Sequence, residues 1–221
     1  MTFRKASGQM YDFLSHTYNV IKGECPHDCS YCYMKIFPQG KVRLDARALD
    51  IDIGNNNFIF VGSSCDVFAD AISEDWILKT LNKCNKHNNK YLFQSKNPRR
   101  IIKFAHDIPK NSVIGTTIES NRIYKCMGNT PAPSTRAKHM ATLREMGFET
   151  MITIEPILNF DIDEFVKILK IAKPTWINIG ADSKEHKLPE PTKEKILALV
   201  EEINKFTTIK KKHNIARILN K

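Results

Sequence analysis

The chain has 221 residues, 42% of them hydrophobic and 26% charged, the balance of a globular protein and not of a disordered or low-complexity one. No stretch approaches the roughly 20 apolar residues of a membrane span, and the opening MTFRKASGQM lacks the apolar core of a secretory leader, so a cytosolic location is expected. Lys and Arg outnumber Asp and Glu by 34 to 24, a formal net charge of +10. That excess suits an acidic partner (nucleic acid, a phosphorylated ligand or an acidic protein) without naming one.

Taken in chain order, hydrophobic periodicity predicts short strands alternating with helices. A first strand over 17–22 leads into a cysteine-rich loop at 25–32. The apolar run 57–61 is a second strand, ending in Gly62-Ser63-Ser64-Cys65-Asp66. Ser73 is placed to cap a helix whose one face carries Trp76, Ile77, Leu81 and Cys84. A third strand, 91–94, precedes a helix that starts near Pro98 and carries Ile101, Ile102 and Phe104. The run 112–118 is a fourth strand, ending in Glu119-Ser120-Asn121. After a loop with Pro131 and Pro133, a helix over 134–145 is stopped by Gly147. A fifth strand, 150–154, ends in Glu155-Pro156, and a helix over 161–171 follows. A sixth strand, 175–179, ends in Gly180-Ala181-Asp182. The last helix, 192–206, leads into a basic tail from about 208 to 221.

Strict strand–helix alternation means an α/β fold with a parallel sheet. A closed barrel of eight units takes about 250 residues. The expectation is therefore a single domain over residues 1–221, built as an open, partial (β/α)6 TIM-type barrel with six strands. Chemistry in such folds gathers at the carboxyl ends of the strands. That rule marks the cysteine loop, Gly62 to Asp66, Gln94 to Lys96, Glu119 to Asn121, Glu155 and Asp182. Asp66 and Asp182 are also ordinary strand-end caps.

The cysteines say more than the charge. Of six, three fall inside eight residues, Cys25-Pro-His-Asp-Cys29-Ser-Tyr-Cys32, and no secretory leader favours disulfides. Two metal readings stand. A structural zinc site needs four ligands, and with no second pair of closely spaced cysteines the fourth would be a distant His16, His27 or Cys65. An iron–sulfur cluster held by three thiolates keeps one iron open, which suits catalysis. Cys84, on an apolar helix face, reads as core packing, as does Cys65.

The spacing Cys25-x3-Cys29-x2-Cys32, with Tyr31 before the last cysteine, resembles the signature loop of the radical S-adenosylmethionine (SAM) superfamily. The resemblance implies that Cys25, Cys29 and Cys32 hold a [4Fe–4S] cluster whose fourth iron binds SAM. It implies a one-electron cleavage of SAM to a 5′-deoxyadenosyl radical that abstracts a hydrogen atom from a substrate. By the same resemblance Gly62, Ser63 and Ser64 stand where relatives hold the methionyl amino group, although the usual acidic residue is missing there. Arg136 stands where relatives clamp the SAM carboxylate, Glu119 and Asn121 would face the ribose, and Glu155 and Tyr31 would line the cofactor site. Cys126 is a candidate to return a hydrogen atom to a substrate radical. Within the superfamily, Gly23 to Met34, the Ser64-Cys65 pair and Thr116-Thr117 resemble the spore photoproduct lyase family, which repairs a thymine dimer in DNA. The chain is similar to a stripped core of that kind, as in small microbial and phage-encoded members.

Two partners fit the basic residues. Arg99, Arg100 and Lys103, or Lys210 to Arg217, suit a phosphate backbone. Lys22, Lys35, Lys41 and Arg43 surround the cysteine loop and suit a flavodoxin- or ferredoxin-type electron donor. Two other functions compete: a radical SAM enzyme acting on a peptide or protein, and a non-enzymatic, zinc-stabilised nucleic-acid-binding protein.

Overall fold

Short apolar runs become strands, and the amphipathic runs between them become helices. In this computed structural model, which describes residues 2–8, 10–184 and 186–220, the chain opens with β1 (Phe3–Lys5), β2 (His16–Tyr18), β3 (Ile21–Lys22) and β4 (Arg43–Leu44). Repeating units follow: β5 (Phe58–Val61), α1 (Glu74–Asn85), β6 (Lys90–Gln94), α2 (Pro98–Lys103), β7 (Ser112–Thr117) and α3 (Pro133–Glu145). The series closes with β8 (Glu149–Ile154), α4 (Ile162–Ala172), β9 (Trp176–Ile179), α5 (Lys193–Asn204), β10 (Thr208–Lys211) and α6 (Ala216–Leu219).

Eight strands form one sheet in the order β1-β2-β5-β6-β7-β8-β9-β10. Only β1 runs antiparallel to its neighbour; the other pairings are parallel. From β5 onward neighbours follow chain order, and every helix from α1 to α5 sends its buried side chains into the same core as Ile59, Tyr91, Ile114, Ile152 and Ile177. Helices confined to one face wind a sheet as a barrel does. The sheet ends at β1 and β10 without pairing them, so the architecture is a partial TIM-type barrel.

Side chains alternate across a strand, so the other face carries Phe58, Phe60, Leu92, Val113, Met151 and Trp176. The segment that precedes β2 inserts Tyr11, Phe13 and Leu14 against them. Further along the strands, towards the carboxyl ends, this inner face turns polar at Gln94, Thr153 and Asn178, two residues on, and at Thr117, four residues beyond Val113. Tyr11 Oη reaches that level, donating to Gln94 Oε1 at 2.8 Å and lying 2.6 Å from Thr153 Oγ1. The inner face is thus apolar at its base and hydrogen-bonding at its mouth.

The structure departs from the sequence-based expectation at both ends of the sheet. Predicted strand 17–22 is broken at Asn19, whose amide is taken by Ser63 and Ser64; β3 turns away and pairs antiparallel with β4 in a separate two-stranded sheet. The segment expected as a basic tail forms β10 and α6, and β10 lies parallel to β9 with Lys210 opposite Asn178. Polar composition hid this strand. Lys210 lays its charge over the rings of Trp176, at 4.5 Å, and Phe13, at 5.1 Å, and a long lysine stem can cover apolar surface in this way. With β1 and β10 added, the sheet has eight strands against the six expected. Among the described residues no helix is long and apolar enough to cross a membrane.

The packing makes a direct prediction. Leu169 on α4 is fully buried, whereas Leu197 on α5 is 47% exposed. Leu169→Ala is expected to lower the unfolding free energy by about 2–5 kcal/mol, and Leu197→Ala to change it by no more than about 0.5 kcal/mol. Urea denaturation of the two variants measures both.

Candidate active site at the carboxyl ends of the strands

The cysteine loop crosses the mouth of the partial barrel. A turn closed by Asp28 N–H to the Cys25 carbonyl, at 3.0 Å, separates the first two cysteines, and a second, from Cys32 N–H to the Cys29 carbonyl at 3.1 Å, separates the last two. Asp28 adopts a left-handed backbone with φ of 50°, which costs a non-glycine residue about 1–2 kcal/mol. The loop after β7 is fastened across it. Asn129 N–H donates to the His27 carbonyl at 2.7 Å and Ser30 N–H to the Cys126 carbonyl at 2.9 Å. Gly128, with φ of 64°, is needed there because a Cβ would collide with the His27 carbonyl.

All six cysteines are free thiols. Cys25, Cys29 and Cys32 are near enough to feel one another's charge. A hydrogen bond with the Cys65 thiol lowers Cys25 to about 6 and raises Cys65 correspondingly. Burial pushes Cys29 and Cys32 up, while the ammonium of Lys96 pulls both the other way. Cys29 Sγ also donates to the Met127 carbonyl at 3.2 Å.

Beneath the loop lies a charge cluster whose central pair is cut off from water. Glu119 and Arg136 are fully buried and their charged ends stand 2.9 Å apart. Lys96 Nζ donates to Glu119 Oε1 at 2.7 Å and to Tyr31 Oη, and sits 4.4 Å from the centre of the Tyr31 ring. Tyr31 Oη in turn donates to Glu119, and Arg136 to the Thr117 carbonyl. Burial alone would raise the Glu119 carboxyl, but Arg136 and Lys96 outweigh it and hold it far below its ordinary 4.5. For Lys96, burial opposes the charged form, yet Glu119 and Cys29 raise it above its usual value. Arg136 is therefore no surface residue; its guanidinium is engaged with Glu119.

A second polar hub lies at the end of β5. Asp66 Oδ2 accepts from His27 Nε2 at 2.8 Å, from Ser95 Oγ at 2.9 Å and from Lys96 N–H at 2.9 Å; Asp66 Oδ1 accepts from Phe68 N–H at 2.9 Å. Nearby, Gly62 turns the chain at φ of 81° where a Cβ would strike Val67. Ser63 Oγ pairs with the Asn19 amide at 3.1 Å, Ser64 N–H donates to Asn19 Oδ1 at 3.0 Å, and Tyr33 Oη donates to the Ser63 carbonyl.

The remaining candidates divide. Cys126 is half-buried in the fastening loop, and burial raises its thiol. Asn121 uses its amide on Asp161, giving to Oδ2 at 3.1 Å and taking from N–H at 2.9 Å. Glu155 is bound by Lys212 Nζ at 2.6 Å and Asn214 Nδ2 at 2.7 Å, both from the segment after β9. In these contacts Asn121 and Glu155 tie loops together and touch no member of the buried charge cluster. Sequence reasoning marked Lys96 and Asp66 only as strand ends and His27 as a possible zinc ligand, and paired none of them. Their one signal was position: Lys96 and Asp66 end predicted strands, and His27 lies inside the cysteine spacing.

The donor set suits a group that takes three thiolates from one loop. Among the described residues no three His, Cys, Asp or Glu side chains close around a single ion as in a tetrahedral zinc site.

The sequence matches no protein-family model and no curated protein. In fold, the chain is similar to spore photoproduct lyase. A variant of that enzyme with bound AdoMet and dinucleoside spore photoproduct aligns with a TM-score of 0.62 at 9% identity, covering 91% of this chain and 78% of that one. Another variant with the dinucleoside product gives 0.61 at 9% identity, and the enzyme complexed with it gives 0.60 at 8%, with the same coverage. Spore photoproduct lyase is a radical SAM enzyme. At such identities the likeness is one of fold.

The buried charge cluster gives a test. Glu119→Gln strands two cations in the interior, and loss of one partner from a buried ion pair costs about 3–5 kcal/mol. Because the folded carboxyl titrates below its ordinary 4.5, its contribution is complete at neutral pH and fades as pH falls below that value. The stability gap between the natural protein and Glu119→Gln, followed by urea unfolding from pH 7 to pH 3, is therefore expected to narrow on acidification. A gap independent of pH would contradict the charge assignment.

Proposed function

We propose that this protein is a radical SAM enzyme in which Cys25, Cys29 and Cys32 hold a [4Fe–4S] cluster. The observation that carries the proposal is a loop with that superfamily's cysteine spacing, its thiols free, lying across the carboxyl ends of the strands in a fold similar to spore photoproduct lyase. When bound and reduced, such a cluster supplies one electron to SAM at its open iron, yielding methionine and a 5′-deoxyadenosyl radical that abstracts a hydrogen atom from the substrate.

The chain's own residues have distinct parts in this reading. The Cys126–Asn129 loop lies against Cys29, which is buried and donates to the Met127 carbonyl. Lys96 and Arg136 put two cations against one carboxylate, so a surplus positive charge remains beside the thiols for an anionic group. The turn at Gly62 brings main chain close to the mouth, with Ser63 and Ser64 fixed by Asn19. Cys126 keeps its hydrogen because burial raises its thiol, the state required to return a hydrogen atom to a carbon radical.

For the substrate we favour a nucleic acid or nucleotide. The net charge of +10 supports it, and several neighbours in fold hold a dinucleoside. Not every basic residue is available. Arg99 lies 3.5 Å from Asp70, Lys103 pairs with Glu74, and Arg100 donates to the Ala69 and Ile72 carbonyls. An acidic flavodoxin- or ferredoxin-type donor fits the side of the cysteine loop that carries Lys41 and Arg43, both exposed. Lys22 and Lys35 beside them are paired with Asp45 and Asp28, each at 2.5 Å.

Anaerobic reconstitution with iron and sulfide, followed by reduction in the presence of SAM, is expected to release 5′-deoxyadenosine. Cys29→Ala is expected to lose its iron and this product, whereas Cys84→Ala, altered in the core behind α1, keeps both. Iron retained by Cys29→Ala, or a colourless protein with one zinc per chain, would overturn the proposal. Binding to single-stranded DNA that weakens steeply with salt supports the nucleic-acid substrate; modification of a peptide instead would replace it.

A further inference from the structure

His27 sits midway between Cys25 and Cys29, and no part of the chemistry above uses it. It is 5% exposed, an unusual place for a titratable side chain in a surface loop. Both ring nitrogens face acceptors. Nε2 lies 2.8 Å from Asp66 Oδ2 and Nδ1 lies 3.3 Å from the Asn129 carbonyl oxygen. Its main-chain carbonyl takes Asn129 N–H at 2.7 Å, and Gly128 is pressed so close that no side chain fits between them. One residue of the cysteine loop is thus gripped by the end of β5 on one side and by the loop after β7 on the other.

The next residue, Asp28, has a positive φ of 50°, uncommon outside glycine although aspartate is among the residues that adopt it. Its side chain is 68% exposed and pairs with Lys35 at the surface, so burial does not hold it there. His27, the residue before it, is the one held by buried contacts. Asp66, the other end of the grip, also fixes Ser95 and the main chain of Lys96, so the same carboxylate sets both the loop and the cation beneath it.

We propose that His27 is a positioning residue for the metal-binding loop: acting through Asp66, it locks the turn between Cys25 and Cys29 so that their sulfurs are presented before the cluster arrives. The proposal rests on the reading of Cys25, Cys29 and Cys32 as cluster ligands. Partners behind a metal's own ligands typically set affinity by 10- to 100-fold.

The test compares the natural protein with His27→Ala, His27→Gln and Asp66→Asn, each reconstituted anaerobically with ferrous iron and sulfide. Three quantities are read: thermal unfolding of the metal-free form, the rate of iron loss to excess EDTA, and the electron paramagnetic resonance spectrum after dithionite reduction. His27→Ala is expected to unfold at a lower temperature when metal-free and, compared well below that temperature, to lose iron at least about tenfold faster, with a broadened spectrum. His27→Gln still offers an N–H to Asp66 and is expected to recover most of the retention. Iron loss and spectrum unchanged in His27→Ala would overturn the proposal, as would equal losses in the Ala and Gln variants. Should His27→Ala fail to fold, Asp66→Asn decides: faster iron loss supports the grip, and natural retention overturns it. A natural protein that takes up no iron would instead sink the cluster assignment itself.

Discussion

The contact of the fully buried Glu119 with the buried Arg136 and the part-buried Lys96 is the constraint on which the mouth of this barrel depends. A carboxylate stripped of water is costly unless it is paired and hydrogen-bonded. Here it meets a guanidinium at 2.9 Å and an ammonium at 2.7 Å. Each partner comes from a different part of the fold: Glu119 follows β7, Arg136 lies on α3, and Lys96 follows β6. Satisfying one buried charge therefore fixes the spacing of three neighbouring units. The count of charges does not cancel, since two cations face one anion. The surplus is directed at the cysteine loop, where Lys96 pulls the Cys29 thiol down against the effect of burial.

Tyr31 carries this order into the loop. Its hydroxyl joins Glu119 and its ring lies under Lys96, so the residue between Cys29 and Cys32 is tied to the barrel floor. His27 ties the interval between Cys25 and Cys29 to Asp66 in the same way. A loop with little secondary structure of its own is thereby held at two points by buried polar contacts. The inner face beneath it, apolar at Leu92 and Met151 and polar at Gln94 and Thr153, is filled by the chain's own Tyr11 and Leu14.

Much of this was legible in the residues. Alternating runs such as 112–118 and 150–154 announced a parallel sheet because buried strands need near-continuous apolar sequence, and the cysteine spacing marked the mouth without help from the fold. β10 was not legible, since Thr208-Ile209-Lys210-Lys211 packs only Ile209 against the core and otherwise looks like solvated surface. Arg136 and Glu119 were marked as candidates for contact with a cofactor, but nothing in a one-dimensional pattern reveals that two charges far apart in the chain have become each other's partner. Glu155 illustrates the converse: its strand-end position was right, and its partners, Lys212 and Asn214, came from a segment taken for a tail.

The central claim is that three thiols of one loop hold a cluster with an open iron in reach of SAM. Electron paramagnetic resonance of the reconstituted, dithionite-reduced protein, recorded with and without SAM, tests it most directly. The account predicts the signal of one reduced four-iron cluster per chain and a clear change in its shape when SAM is added. A four-iron signal that SAM leaves unaltered would contradict it.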